Sequence, residues 1–393
     1  MLKPNYEDGS IVNLMSSIKK SFNGTHQYGE LKILSSNEIS KYKNIILMVL
    51  DGVGYNYLVK QHSKKSFLNK NMRGSITSVF PPTTACAIPT FATGLPPQQH
   101  ALTGWYMLLK EFGIVSTTLK FNPRIGGDAF SSLDYRIFDI LDYKNMNEDI
   151  NINSFQILPK ILINTDFNIA MRGKSKVLGF STLKGMSSQI LKAVRSSNTR
   201  KYIFSYLDYF DSTAHTHGVK SNESSKCFNE IEQIIENIST NLNDTNSLLI
   251  VTADHGFIDS KKEEHINLED HPELLKCLNL PLCGDSRVVY CYVRPTKVAY
   301  FENYVNTYLS KFVYLFKSEE LIKKNMFGLF QPHQKLFDRI GDYTLILKEN
   351  YVFKDRICSK NKKLKIGYHS GLSEDELLVP LIIFEFKKLK NKE

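Results

Sequence analysis

No stretch of the 393-residue chain approaches the roughly 18 uncharged apolar residues that cross a bilayer as a helix, so a helical membrane-spanning protein is excluded. The N-terminal stretch MLKPNYEDGSIVNLMSSIKKSFNG has early polar and acidic residues. It lacks the apolar core of about seven residues that a secretory leader needs, and a cytoplasmic location is expected. CxxC pairs are absent, so the six cysteines (Cys86, Cys227, Cys277, Cys283, Cys291 and Cys358) are expected to be reduced thiols that pack and carry no chemistry. No internal repeat is visible, which excludes a solenoid. Aromatic residues interleaved with lysines are also missing. The net charge of +10 is spread over Asn/Lys-rich stretches (SKKSFLNKN, KSEELIKKN, SKNKKLK, KKLKNKE), the pattern of a solvated surface that steers anions, and no specific nucleic-acid recognition is expected.

What is present is an ordinary globular composition, 42% hydrophobic and 23% charged. NIILMVL at 44–50 is a continuous apolar run ending at Asp51-Gly52, the pattern of a parallel strand buried on both faces. YIFSYLD at 202–208, SLLIVTAD at 247–254 and VPLIIFEF at 379–386 match it. Between the second and third, Phe228, Ile231, Ile235, Ile238 and Leu242 recur every three or four residues behind Ser221 and Asn222. This predicts a capped helix inside a strand–helix–strand crossover.

The first three strands each deliver a candidate ligand at or just past their C-terminal ends, where open α/β sheets bind their ligands. Asp51 ends the first, Asp254-His255 ends the third, and Asp211 and His215 follow the second four residues apart, so one helical turn aims both the same way. His369, in GYHSG, completes three Asp and three His. Asp211, His215 and His369 are expected to form one metal site and Asp51, Asp254 and His255 another, each leaving room for a substrate oxygen or water. Two divalent ions are implied, zinc first with manganese as the alternative. Thr84, with Thr83 beside it, precedes the small-residue run Ala85-Cys86-Ala87, which reads as a helix start. A hydroxyl there gains from the helix dipole and from a metal, both of which favour its alkoxide. His217 and His271 lie near this set and read as surface residues; His26, His62, His100, His265 and His333 have no partner pattern.

The stretch 261–359 contains its own strand-like runs (RVVYCYV, DYTLILKENYVF) and a helical FENYVNTYLSKF, and reads as an inserted cap lobe. Hairpin-like GWYMLLKEFGIVSTTLKF marks 104–160 as a second, smaller insertion. Residues 41–260 with 360–393 would then be the catalytic core, and 1–40 an N-terminal extension.

The ordered set of motifs resembles the alkaline phosphatase superfamily, and within it the type I phosphodiesterase/nucleotide pyrophosphatase branch, over about residues 41–260 and 365–390. In that superfamily the nucleophile stands ten residues before the Gly of a Thr-Gly pair; counting back from Thr93-Gly94 selects Thr84 over Thr83. YLDYFDSTAHTHG is similar to the branch pattern in which an acidic residue precedes the metal-binding Asp by three, which gives Asp211 and His215 the metal roles and not Asp208. TADHG matches the second-site Asp-His pair. A sulfatase would need a modified Cys followed by Pro-Ser-Arg, absent here.

The resemblance implies an α/β three-layer sandwich around a mostly parallel central sheet with an inserted α+β cap. It implies a two-metal hydrolase that cleaves phosphate diester or pyrophosphate bonds of a small, nucleotide-like substrate through a phosphothreonine at Thr84. One position departs: where the branch carries Asn three residues after the nucleophile, this chain has Ala87, which removes a donor to a phosphoryl oxygen. A phosphomonoesterase or phosphonate hydrolase on the same scaffold is the alternative, with Arg73 and Arg124 as candidate extra cations. Outside catalysis, the alternative is a metal-binding interaction scaffold.

Overall fold

The computed structural model describes residues 2–61, 66–137, 140–150, 152–355 and 365–387. His62, Cys358 and the lysines of 63–65, 359–364 and 388–393 lie outside them. Among the described residues, no helix is long and apolar enough to cross a membrane, and the five described cysteines are free.

The fold is mixed α/β around a seven-stranded sheet. Its strands are β1 (Asn44–Leu50), β2 (Met72–Thr77), β3 (Asn153–Pro159), β4 (Lys176–Phe180), β5 (Lys201–Leu207), β6 (Ser247–Thr252) and β7 (Leu378–Phe386), in the spatial order β2-β7-β6-β1-β5-β3-β4. β1 is central because all seven of its residues are buried, which only a strand covered on both faces permits. It pairs in parallel with β5 and β6, and β3 continues the parallel set through β5 and β4. The crossover between β5 and β6 contains the expected helix, Asn222–Asn241, capped by the Ser221 side chain, with Phe228, Ile231, Ile235 and Ile238 buried along one stripe.

Two expectations change. The run at 379–386 is not parallel: β7 runs antiparallel to both β2 and β6. The chain reaches β7 from the C-terminal edge of the parallel strands, so it can only descend. The stretch 104–160 is not wholly an insertion either, because Asn153–Pro159 is β3 of the central sheet.

A second seven-stranded sheet is built from two distant stretches. Val313–Lys317, Tyr343–Leu347, Val288–Cys291 and Cys283–Gly284 continue into the hairpin Tyr106–Leu109 and Ile114–Thr117 and end at Asn122–Pro123. Every pairing in it is antiparallel. The segment before residue 41 is packed inside: helix Ile11–Ser21 buries Ile11, Val12, Leu14, Met15 and Ile18 in the same core cluster as β1.

Two histidines outside the ligand set, the buried His100 and the partly buried His26, pack against the helix Thr84–Thr93 and its C-terminal cap. His100 Nδ1 accepts from Leu102 N–H at 3.1 Å and its Nε2 meets Thr90 Oγ1 at 3.3 Å; His26 lies beside Gly94. Burial pushes His100 down to about 3 and His26 down to about 4. An unfolded chain takes up these protons near pH 6.5. Stability is therefore lost as pH falls from about 6.5 towards 4, by about 1.4 kcal/mol per pH unit for each imidazole. The urea midpoint should drop over that interval and drop less steeply in His100→Asn; an equal slope in the variant would contradict this origin.

Candidate active site

Five segments meet at the C-terminal edge of the parallel strands. Asp51 follows β1, and its N–H bonds Leu207 O at 2.9 Å, carrying the ladder one residue beyond the strand. Gly52 then turns the chain at φ 78°, where a Cβ would stand 2.4 Å from the Phe257 ring, so only glycine fits. Asp254 and His255 follow β6, and Asp254 Oδ1 accepts from Gly52 N–H at 3.1 Å and His255 N–H at 3.0 Å. Helix α1 (Thr84–Thr93) begins with Thr84, and helix α2 (Tyr209–His217) carries Asp211 and His215 one turn apart. His369 stands between the short strand Gly367–Tyr368 and β7, its ring stacked on His255 at 3.8 Å.

The structure thus brings together all seven residues singled out in the sequence. His255 Nε2 is the hub, 3.2 Å from Thr84 Oγ1, 3.3 Å from Asp51 Oδ1 and 3.5 Å from Asp254 Oδ2. Two trios have ligand atoms within 4.8 Å of one another: Asp51, Asp254 and His255, and Asp211, His255 and His369. His255 therefore reaches both groups, a sharing the spacing did not suggest. His215 joins the second through Asp211 Oδ1, 3.4 Å from its Nε2.

The electrostatics of the cluster fit cations. Burial raises the Asp51 carboxyl well above its ordinary value, helped by the charges of Asp211 and Asp254, although the Tyr206 hydroxyl donates to Asp51 Oδ2 and opposes the shift. Burial also raises Asp211. It pushes His215 down to about 3, and burial with the neighbouring His255 and His215 pushes His369 well below its usual range. Nδ1 of His215 bonds Gly367 O at 2.8 Å and Nδ1 of His255 bonds Gly256 O at 3.1 Å. Each Nδ1 thus carries the proton, and each Nε2 turns its lone pair to the carboxylates. Asp51 Oδ1, Asp211 Oδ1 and Asp254 Oδ2 are buried without a hydrogen-bond donor. Buried, unpartnered carboxylate oxygens facing imidazole lone pairs make a donor set for divalent cations.

Other expectations resolve differently. His217 is exposed at the end of α2, and His271 meets Tyr304 Oη at 2.9 Å away from the cluster. Arg124 pairs with Asp355 at 3.2 Å and covers the Tyr106 ring; Arg73 pairs with Glu38 and Glu385 at the start of β2. Neither reaches the cluster. The cation whose charge bears on Asp211, His215 and His369 is Lys365. Ala87 is fully buried in the main core. Three contributors had no legible signal: Tyr206; Ser78, whose hydroxyl donates to Asp254 O; and Phe257, whose ring is edge-on to His215 at 4.9 Å and His369 at 5.2 Å. Tyr206 is placed by the register that sets it opposite Val49, which no local pattern reveals.

A mostly parallel α/β sheet bearing three carboxylates, three imidazoles and a threonine hydroxyl at its C-terminal edge defines a hydrolase of the alkaline phosphatase superfamily. Residues 45–371 match the type I phosphodiesterase / nucleotide pyrophosphatase family, and the chain belongs to it. Among solved structures, murine ectonucleotide pyrophosphatase/phosphodiesterase 5 is similar with a TM-score of 0.65 at 17% identity, covering 88% of this chain and 89% of that one. The human protein of the same name gives 0.60 at 15%, covering 88% and 90%. Phosphonoacetate hydrolase from Sinorhizobium meliloti, solved with phosphonoformate, also gives 0.60 at 15%, covering 90% and 92%. Among curated proteins, none matches the chain in sequence.

If the carboxylates await cations, adding Zn²⁺ or Mn²⁺ to chelator-treated protein should raise Tm, with about 2.7 kcal/mol gained at a hundredfold excess over Kd. Asp254→Asn should shrink that gain. In the chelated protein, Asp51→Asn should stabilise on the order of 1 kcal/mol by removing a repelled charge. A Tm indifferent to both metals would contradict the assignment.

Proposed function

We propose that this chain is a two-metal hydrolase of phosphate diester or pyrophosphate bonds that works through a covalent phosphothreonine at Thr84. The reading rests above all on the convergence of Thr84 Oγ1, Asp51 Oδ1 and Asp254 Oδ2 on His255 Nε2, within 3.2 to 3.5 Å. Asp51, Asp254 and His255 would hold one divalent ion and Asp211, His215 and His369 the other, with zinc or manganese suited to the mixed oxygen and nitrogen set. When bound, the two ions supply Lewis-acid charge for the substrate's phosphoryl oxygens and for the attacking and leaving oxygens.

The chain's own part is positioning. Thr84 stands half-buried at the first turn of α1, where the helix N-terminus favours an anionic oxygen. Its Oγ attacks phosphorus in line, an Oγ–P bond forms, and the P–O bond to the leaving alcohol or phosphate breaks. Water then hydrolyses the Thr84 ester and restores the hydroxyl, so two inversions leave configuration at phosphorus retained. The gly-carbonyl bonds at Nδ1 keep His215 and His255 in the tautomer that presents Nε2. A nucleotide-like substrate agrees with the murine relative, an inactive form of which was solved with AMP.

The commitment of both candidate arginines elsewhere favours a diester. The two arginines that a more highly charged monoester could have used are committed to Asp355, Glu38 and Glu385. Metal-loaded protein should hydrolyse bis-p-nitrophenyl phosphate faster than p-nitrophenyl phosphate, and Thr84→Ala should lose about 10³-fold or more in kcat. Full turnover by the variant would sink the covalent step, and a monoester preference would move the reading to a phosphatase.

A further inference from the structure

One turn of the second sheet reaches the catalytic centre, and neither the motifs nor the chemistry above uses it. Between Cys283–Gly284 and Val288–Cys291 the chain doubles back, with Asp285 N–H bonded to Val288 O at 2.8 Å. Asp285 Oδ2 accepts from Trp105 N–H at 3.1 Å. The Thr83 hydroxyl, next to Thr84, faces the same carboxyl and opposes the upward shift that burial gives it. Thr83 is the N-cap of α1, yet its side chain caps no helix N–H. The approach is close: a Cβ on Gly104 would lie 2.8 Å from Gly284 Cα and 3.2 Å from Asp285 Oδ2.

The far side of the turn is anchored just as firmly. Arg287, 1% exposed, makes a bidentate pair with Glu376, Nε to Oε1 at 2.6 Å and Nη2 to Oε2 at 2.9 Å. Glu376 Oε1 also accepts from Gly371 N–H at 2.7 Å, two residues past His369, and Glu376 O accepts from Gly256 N–H at 2.8 Å, next to His255. A rigid three-residue turn thus spans from the loops carrying two imidazoles to the start of the nucleophile's helix.

We propose that Asp285 is a positioning residue of the active site: carried on a turn that Arg287 locks to the His369 and His255 loops, it holds Thr83 and the Trp105 backbone so that the Thr84 hydroxyl stays aimed at the reacting phosphorus. The proposal rests on Thr84 as nucleophile. Misplacement by an ångström costs about a hundredfold in rate, while ground-state binding through the metals changes little.

Trp105 is the only tryptophan, so its emission reports on this contact without any turnover. Asp285→Ala should shift the Trp105 emission and lower kcat by about tenfold to a hundredfold, with KM and bound metal nearly unchanged. Asp285→Asn keeps an acceptor for the Trp105 N–H and should return the emission and most of kcat. Thr83→Val should lower kcat as well, and combined with Asp285→Ala should cost less than the product of the two. If Asp285→Ala does not fold, Asp285→Asn and Thr83→Val carry the test. Parental kcat in Asp285→Ala, unaltered emission, or fully multiplicative losses would each overturn the proposal. A parent enzyme that turns over no phosphate ester would instead overturn the Thr84 reading, while the emission arm still decides whether Asp285 holds Trp105.

Discussion

Three carboxylates buried around one imidazole are the constraint on which the rest of this structure depends. Asp51, Asp211 and Asp254 crowd one another in a region largely shielded from solvent, and burial disfavours the ionised forms of Asp51 and Asp211. Such an arrangement persists only when the surrounding fold overdetermines it. Here the determination is strong: β1, β5 and β6 are parallel neighbours with every residue buried, so the tips that bear or precede the three aspartates cannot separate without breaking the centre of the sheet. The crowded charges are held by the fully buried centre of the sheet.

The same constraint orders the polar groups around it. Backbone carbonyls of Gly256 and Gly367 take the Nδ1 protons of His255 and His215, while Tyr206 and Ser78 donate to Asp51 and to the Asp254 carbonyl. These four donors leave Asp51 Oδ1, Asp211 Oδ1 and Asp254 Oδ2 without a hydrogen-bond donor and the Nε2 atoms of His215 and His255 free of protons. Depressed imidazole pKa values follow from the burial that isolates the site, which keeps them available as neutral ligands well below pH 7.

How legible was this in the sequence? Asp51 and Asp254 could be read because each ends an apolar run too long and too uniform to be anything but a buried strand, and a carboxylate at such an end has few innocent explanations. The helix over Asn222–Asn241 was legible from its period, and Thr84, which the structure sets beside His255, was singled out through the superfamily's spacing to Thr93-Gly94. The direction of β7 was not, because a fully buried strand has the same composition whichever way it runs; only the path of the preceding chain decides it. Ala87 was read as lacking the branch's donor to a phosphoryl oxygen, and it packs in the core. Asp285, Arg287 and Glu376 had no pattern at all, since their meaning lies in contacts across 89 residues or more.

The reversal of β7 then acquires a functional sense. A strand that enters from the site end must be preceded by a loop lying across that end, and this loop carries His369, Gly371 and Glu376 in close succession. It is therefore the one segment that can supply a ligand to the cluster and, through the Arg287 pair, grip the second sheet. Had β7 been parallel, its site-end loop would have followed the strand instead of preceding it. The antiparallel strand thus lets a single loop couple the core, which holds the charges, to the second sheet, which carries Arg287 and Asp285.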